Sequence, residues 1–142
     1  MKKTFVLIIA LLFKSMLAQN NADKILGIWY TDKKKAKVEV YKQDNKYFGK
    51  IISLKDPLDP DTKKPKTDKH NADVKKRNNS LVGLILVRDF VYDDGEWTDG
   101  KIYDPENGKE YSCYMVFEGD KLKVRGYIGF SLIGRTTYWT RN

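Results

Sequence analysis

The sequence predicts an all-β domain: a single antiparallel up-and-down barrel of about eight strands. Eight short apolar or alternating runs begin at residue 25, most of them separated by two to five turn residues. None of them holds a helical period over 12 residues. The length of 142 residues fits one domain, and 41% hydrophobic with 32% charged residues is a globular composition. Many strands at short spacing with hairpin turns suit a sandwich or a barrel, and eight close into a barrel that holds side chains or one small ligand.

The chain opens with an address. Lys2 and Lys3 form a charged start, and Phe5 to Phe13 is an unbroken apolar run of nine residues. A membrane-spanning helix needs roughly 20 apolar residues. A secretory signal peptide needs only about 7–15. Residues 1–18 are therefore expected to be a signal peptide cleaved between Ala18 and Gln19, although Met16 is larger than the residue usual there. Lys14 interrupts the run and argues against an uncleaved anchor. Residues 19–142 form the domain, bound for the periplasm or the medium. Removing the leader lowers the formal charge from +8 to +5, so part of the basic balance belongs to the leader. An exported chain has no nucleic-acid partner in view, and the remaining charge serves solubility or attraction to anionic surfaces.

The strands follow in order. Ile25–Thr31 is the first run. Ala36–Gln43 sets Val38 and Val40 against Lys37, Glu39 and Tyr41, and Asp44-Asn45 turns the chain. Tyr47–Leu54 is the third run. Val82–Tyr92 is the fourth and ends at Asp93-Asp94-Gly95. Glu96–Tyr103 is the fifth, closed by Asp104-Pro105-Glu106-Asn107-Gly108, where Pro and Asn-Gly supply a reversal. Lys109–Phe117 puts Tyr111, Cys113, Met115 and Phe117 on one face. Lys121–Ile128 aligns Leu122, Val124, Gly126 and Ile128, and Gly129–Arg141 ends the sheet. The exception is one long polar loop at 55–80. It is broken by Pro57, Pro60 and Pro65 and holds eight Lys or Arg and five Asp. A loop of that length is usually functional or disordered. This one is expected to contain a short helical turn near Ala72–Arg77 and reads either as a solvated loop or as a strap across one barrel end.

Much chemistry is excluded by count. One Cys rules out an intramolecular disulfide and a Cys-rich zinc site. One His makes a Ser-His or Cys-His device a poor fit. Asp56, Asp59 and Asp61 do not make a calcium loop, because the sixth and twelfth residues counted from Asp59 are Lys64 and His70. They read as turn starters. No metal and no cofactor are expected. Cys113 sits on the core face and reads as a small hydrophobe. The cluster Lys33, Lys34, Lys35 and Lys37 reads as a solvated turn.

Gly27-Ile28-Trp29 on the first strand resembles the Gly-x-Trp pattern of calycins, the lipocalins and their relatives. That resemblance implies a Trp near the closed barrel end with a basic residue of the last strand across it. Arg141, in Tyr138-Trp139-Thr140-Arg141, is available for this closure, a guanidinium–indole contact worth roughly 0.5–2 kcal/mol. Longer blocks cover almost the whole domain: Val38-Glu39-Val40-Tyr41, Tyr47-Phe48-Gly49-Lys50-Ile51, the run from Trp97 through Asp104-Pro105-Glu106-Asn107-Gly108 to Tyr111, and Leu122 to Gly129. Together they resemble the bacterial domain-of-unknown-function family 2147, a group of small exported proteins. The resemblance implies a lipocalin-like (calycin-like) barrel and export, and no activity.

Asp68, Asn71 and Arg77 are the most suggestive polar set. They lie within ten residues of one another in the long loop, and an Arg fork suits a carboxylate or phosphate. They either bind a polar headgroup or tie the loop down. Arg88 shares parity with Leu84, Leu86 and Phe90, which would turn it into the lumen. Trp97, Tyr103, Tyr111, Tyr114, Tyr127 and Tyr138 either line the lumen or fill it. The sequence therefore reads as an exported, non-enzymatic binding module for a small apolar or amphipathic ligand, a lipid or envelope component. Asp68, Asn71, Arg77, Arg88, Trp97 and Tyr103 would contact it, with Trp29 and Arg141 as barrel closure. The alternative is an envelope protein-interaction or structural role with a solid barrel. A carboxylate enzyme would need two of Asp68, Asp99 and Asp104 about 5–9.5 Å apart.

Overall fold

The structure, a computed structural model, describes residues 2–141, with side chains from Val6 onward. The side chains of the charged start, Lys2 and Lys3, lie outside the described set. A helix, α1, spans Lys2–Ala22, and a 3₁₀ turn follows at Asp23–Ile25. Eight strands then run β1 Gly27–Tyr30, β2 Ala36–Gln43, β3 Lys46–Leu54, β4 Ile85–Asp93, β5 Glu96–Asp104, β6 Lys109–Glu118, β7 Lys121–Tyr127 and β8 Gly134–Trp139. Each pairs antiparallel with its sequence neighbour in one sheet. The sheet curls until its edges meet at Tyr30 and Thr140, which exchange backbone hydrogen bonds of 2.6 and 3.0 Å. Among the described residues no helix is long and apolar enough to cross a membrane.

Turn chemistry sets the strand pairing. Asp44-Asn45 and Asp94-Gly95 both have positive φ at their two residues, as tight two-residue hairpins require. Gly119-Asp120 joins β6 to β7 at the same end. Two strands carry an irregular residue in the left-handed region, Asp89 (φ 62°) in β4 and Asp99 (φ 59°) in β5. Each breaks the alternation of faces by one place. Val87 and Phe90, three apart, are therefore both buried, as are Trp97 and Gly100.

The closed end is filled with aromatics. Trp29, Trp97, Tyr47 and Phe90 are buried there with Met115 and Leu122. Phe117 sits 5.7 Å from Trp29 and 5.5 Å from Trp97, centroid to centroid, in tilted and edge-on contacts. The chain entering β1 plugs this end. Ala22 and Ile25 are buried, and their carbonyls accept the indole N–H groups of Trp97 (3.1 Å) and Trp29 (2.8 Å). Asp23 accepts the Tyr47 hydroxyl at 2.6 Å and lies 3.2 Å from the Lys42 ammonium. The Tyr47 hydrogen bond is the largest of the contacts that hold the Asp23 carboxyl below its ordinary range.

Four predicted runs, the first, fourth, seventh and eighth, extend past the strands observed. Ile25 belongs to the 3₁₀ plug rather than to β1, because the barrel end needs an apolar stopper. Residues 82–84 precede β4 as a turn around Gly83 (φ 95°). Residues 128–133 form a tight loop before β8. The long segment is ordered by two isolated bridges, Leu58 with Pro65 and Thr67 with Ser80. It also carries a 3₁₀ turn at Val74–Lys76, capped by Asp73 accepting from the Lys75 amide at 3.0 Å. Asp59 does start a turn: its carboxylate accepts the amides of Asp61 and Thr62 at 3.0 Å, which with Lys69 hold its pKa at about 2.

Candidate ligand site at the open end

The half of the barrel away from the plug is not filled. It holds a cavity of about 950 Å³, open at the end where β1–β2, β3–β4, β5–β6 and β7–β8 connect. Ligand pockets run to roughly 300–1,000 Å³. The wall comes from the consecutive strands β3 to β7, chiefly Ile51, Leu54, Leu86, Ile102, Tyr111 and Val124. Buried Trp139 also lines it. Gly126 keeps the wall thin where Ile102 faces it, since a Cβ there would come within 3.1 Å of the Ile102 methyl. The rim is polar. Lys35 pairs with Glu106 at 3.5 Å and Lys69 with Asp59 at 3.3 Å, while His70 and Arg135 complete the mouth. An apolar wall under a charged rim suits an amphipathic molecule with its polar end outward.

The long loop forms part of that rim through Lys66, Thr67, Lys69 and His70. Asp68 latches it to the barrel. Its carboxylate, 2% exposed, accepts the Tyr103 hydroxyl at 2.7 Å and the Asn71 side-chain amide at 2.7 Å. Arg77 donates from Nε to the Asn71 carbonyl at 2.8 Å. Gly108 (φ 71°) lets the β5–β6 hairpin touch this loop, since a Cβ there would sit 1.8 Å from the His70 carbonyl oxygen. Burial, then the bond to Asp68, pushes the Tyr103 phenol up to about 12.

Of the six residues expected to contact a ligand, Tyr103 alone lines the cavity. Asp68, Asn71 and Arg77 do come together: the Asp68 carboxylate is engaged by Tyr103 and Asn71, the Asn71 Oδ1 accepts the Asp73 amide, and Arg77, exposed, donates its Nε to the Asn71 carbonyl. Arg88 is a correction. The left-handed Asp89 interrupts the parity that linked Arg88 to Phe90, and Arg88 pairs instead with Glu110 (2.6 Å) and Asp89, with its side chain 43% exposed. Trp97 lies at the closed end, buried, beside Ala22. Among the tyrosines, Tyr111 and Tyr127 line the cavity with Tyr103, whereas Tyr138 is exposed. Leu86, which the strand parity turned inward with Arg88, does line the cavity, whereas Ile51, Leu54 and Ile102 have no wall role in the sequence reading. Their signal was the apolar positions of the runs Tyr47–Leu54 and Glu96–Tyr103.

At the closed end Arg141 lies over Trp29, its guanidinium carbon 4.0 Å from the ring centroid. It donates to the carbonyls of Leu26 (3.0 Å) and Lys24. Gly27 (φ 113°) leaves room for it, because a Cβ would stand 3.0 Å from Nη1. Cys113 is fully buried, and burial pushes its thiol up to about 12. Among the described residues no group of three or more His, Cys, Asp or Glu side chains is placed to hold a metal ion.

This is the architecture of a lipocalin-like barrel: eight antiparallel strands, one plugged end, one open cavity. The structure is similar to that of protein HP1028 from Helicobacter pylori, described as belonging to the lipocalin family, with a TM-score of 0.70 and 25% identity over 84% of this chain and 83% of that one. The chain belongs to the DUF2147 family, described as an uncharacterized protein conserved in bacteria, whose profile matches residues 27–141. No curated protein matches the sequence.

Proposed function

We propose that this protein is an exported, non-enzymatic carrier or receptor for one small apolar or amphipathic molecule. The observation that carries the reading is the open cavity of about 950 Å³ with its apolar wall and charged rim. Ile51, Leu54, Leu86 and Ile102 receive the apolar part, and Lys66, Lys69, His70 and Arg135 meet a polar or anionic end. The Asp68–Tyr103 latch serves the site indirectly by fixing the loop that forms its edge. A thiol held protonated by burial gives no nucleophile at neutral pH, which supports binding rather than turnover.

Export remains part of this proposal. Residues 1–18 act as a leader removed after Ala18, and Ala22 and Ile25 stay behind to plug the barrel. The burial of Ala22 beside the exposed stretch from Val6 to Leu17 supports a boundary between them.

A fluorescent single-chain amphiphile, cis-parinaric acid, tests the reading. One molecule per chain is expected to bind. Ile102→Trp, which thickens the wall in mid-cavity, should weaken that binding about tenfold or more without lowering the melting temperature by more than a few degrees. Absence of binding to the unmodified chain, or binding indifferent to Ile102→Trp, would sink it.

A further inference from the structure

The β7–β8 loop is the most apolar exposed surface of the barrel. Ile128, Phe130, Leu132 and Ile133 are 67, 75, 89 and 65% exposed within six residues. It is not a loose tail. The Ile128 amide donates to the Ile133 carbonyl (3.1 Å), Phe130 to Ile128 (2.8 Å) and Ile133 to Phe130 (3.0 Å). Arg125 Nε donates to the Ser131 carbonyl at 2.7 Å and Nη1 to Thr136 at 2.9 Å, fixing the loop base. A hydrogen-bonded loop that holds Phe130 and Leu132 in water has an interaction to make.

Charge says with what. The four connections at the open end hold eleven Lys or Arg against seven Asp or Glu. The three turns at the closed end, Asp44-Asn45, Asp94-Gly95 and Gly119-Asp120, hold three Asp and no Lys or Arg. The connections are thus polarised, net positive at the open end around the apolar loop and negative in the closed-end turns. An anionic surface would orient the barrel loop first. Apolar tips among basic loops match the boundary between lipid headgroups and acyl chains.

We infer that the β7–β8 loop docks the open end of the barrel onto an anionic lipid bilayer, with Phe130 and Leu132 entering the acyl region and the basic connections meeting the headgroups. Ile128 and Ile133 belong both to this loop and to the cavity lining, so the docked mouth opens toward the membrane. The inference stands apart from cavity occupancy, but it supplies the proposed amphipathic ligand with a source or destination.

The test uses the full chain as recovered from the expressing cell, carrying Leu132→Trp. Native Trp29, Trp97 and Trp139 are all at most 2% exposed, so the new indole reports the loop. With vesicles of phosphatidylcholine and phosphatidylglycerol, its emission should shift to the blue and be quenched by brominated acyl chains. Raised salt should weaken the response about tenfold or more, and adding Phe130→Ser about tenfold. Attachment through α1 alone would leave this indole unquenched, because α1 leaves from the closed end, and that outcome would overturn the inference. So would unmoved emission on anionic vesicles at low salt. A blue shift that grows with protein concentration without lipid would name a second copy as the occupant instead. Parinaric acid titration of the same sample separates the two proposals: binding there without loop quenching removes the docking inference alone, and loop quenching without parinaric binding removes the cavity reading alone.

Discussion

Trp29→Ala is expected to remove about 3–5 kcal/mol of folding stability, a large share of the roughly 5–15 kcal/mol typical of a domain. The residue is fully buried, and three contacts depend on it. Its indole N–H satisfies the Ile25 carbonyl of the plug (2.8 Å). Its ring meets Phe117 and carries the Arg141 guanidinium. It also lies on β1, whose backbone bridges to the last strand's continuation at Tyr30 and Thr140. Alanine leaves a cavity, an unpaired carbonyl and an Arg without its aromatic floor. Arg141→Ala should cost less, about 1–2 kcal/mol, because Trp29 stays packed by its other neighbours. Urea denaturation measures both. A loss under about 1 kcal/mol for Trp29→Ala would show that the plug and closure contribute little.

Gly100→Val is expected to cost about 3 kcal/mol or more. Gly100 has an ordinary β conformation, so space is the issue. A Cβ at this position would fall 2.4 Å from three ring atoms of Phe90, which is itself fully buried. The ring occupies the side-chain volume that Gly100 gives up, and the irregular residues Asp89 and Asp99 bring the two positions to one face. The clash predicts its own rescue. Phe90→Leu should cost stability alone, yet the double variant Phe90→Leu, Gly100→Val should be more stable than the sum of the singles implies, by about 1 kcal/mol or more. Strict additivity in denaturation midpoints would place the strain elsewhere.

The fold was legible because its signals are local. Period-two alternation in Ala36–Gln43 and Lys109–Phe117, with Asp44-Asn45 and Asp94-Gly95 between runs, specifies hairpins without knowledge of the rest of the chain. Gly27-x-Trp29 and the terminal Arg141 are neighbours in space and could be paired from pattern. The site was less legible, for two physical reasons. The β3–β4 register slips twice, between Phe90 and Val87 around the left-handed Asp89 and again between Val87 and Ile85, so Leu86 and Arg88 share a parity without sharing a side, and Asp at a left-handed φ leaves little trace in hydropathy. Plain period-two parity therefore turns Arg88 into the lumen, whereas the slipped register leaves it paired with Glu110 outside. Charged and amide residues in the long loop also look the same whether they await a ligand or satisfy one another. Asp68 is spent on Tyr103 and Asn71, contacts that span 35 residues in one case and three in the other. The cavity itself is a difference between filled and unfilled volume, and no residue announces it. Ile51, Leu54, Leu86 and Ile102 have the composition of a core, and only packing shows that one end of the barrel stops short of being one.

Native mass spectrometry of the protein isolated from the cells that make it, before and after organic extraction, tests the central claim most directly. An open cavity under a charged rim predicts one small apolar or amphipathic molecule per chain, released by extraction while the barrel refolds around an exchangeable site. A chain that carries no such molecule and takes up none of the extracted lipid when it is returned would contradict the account.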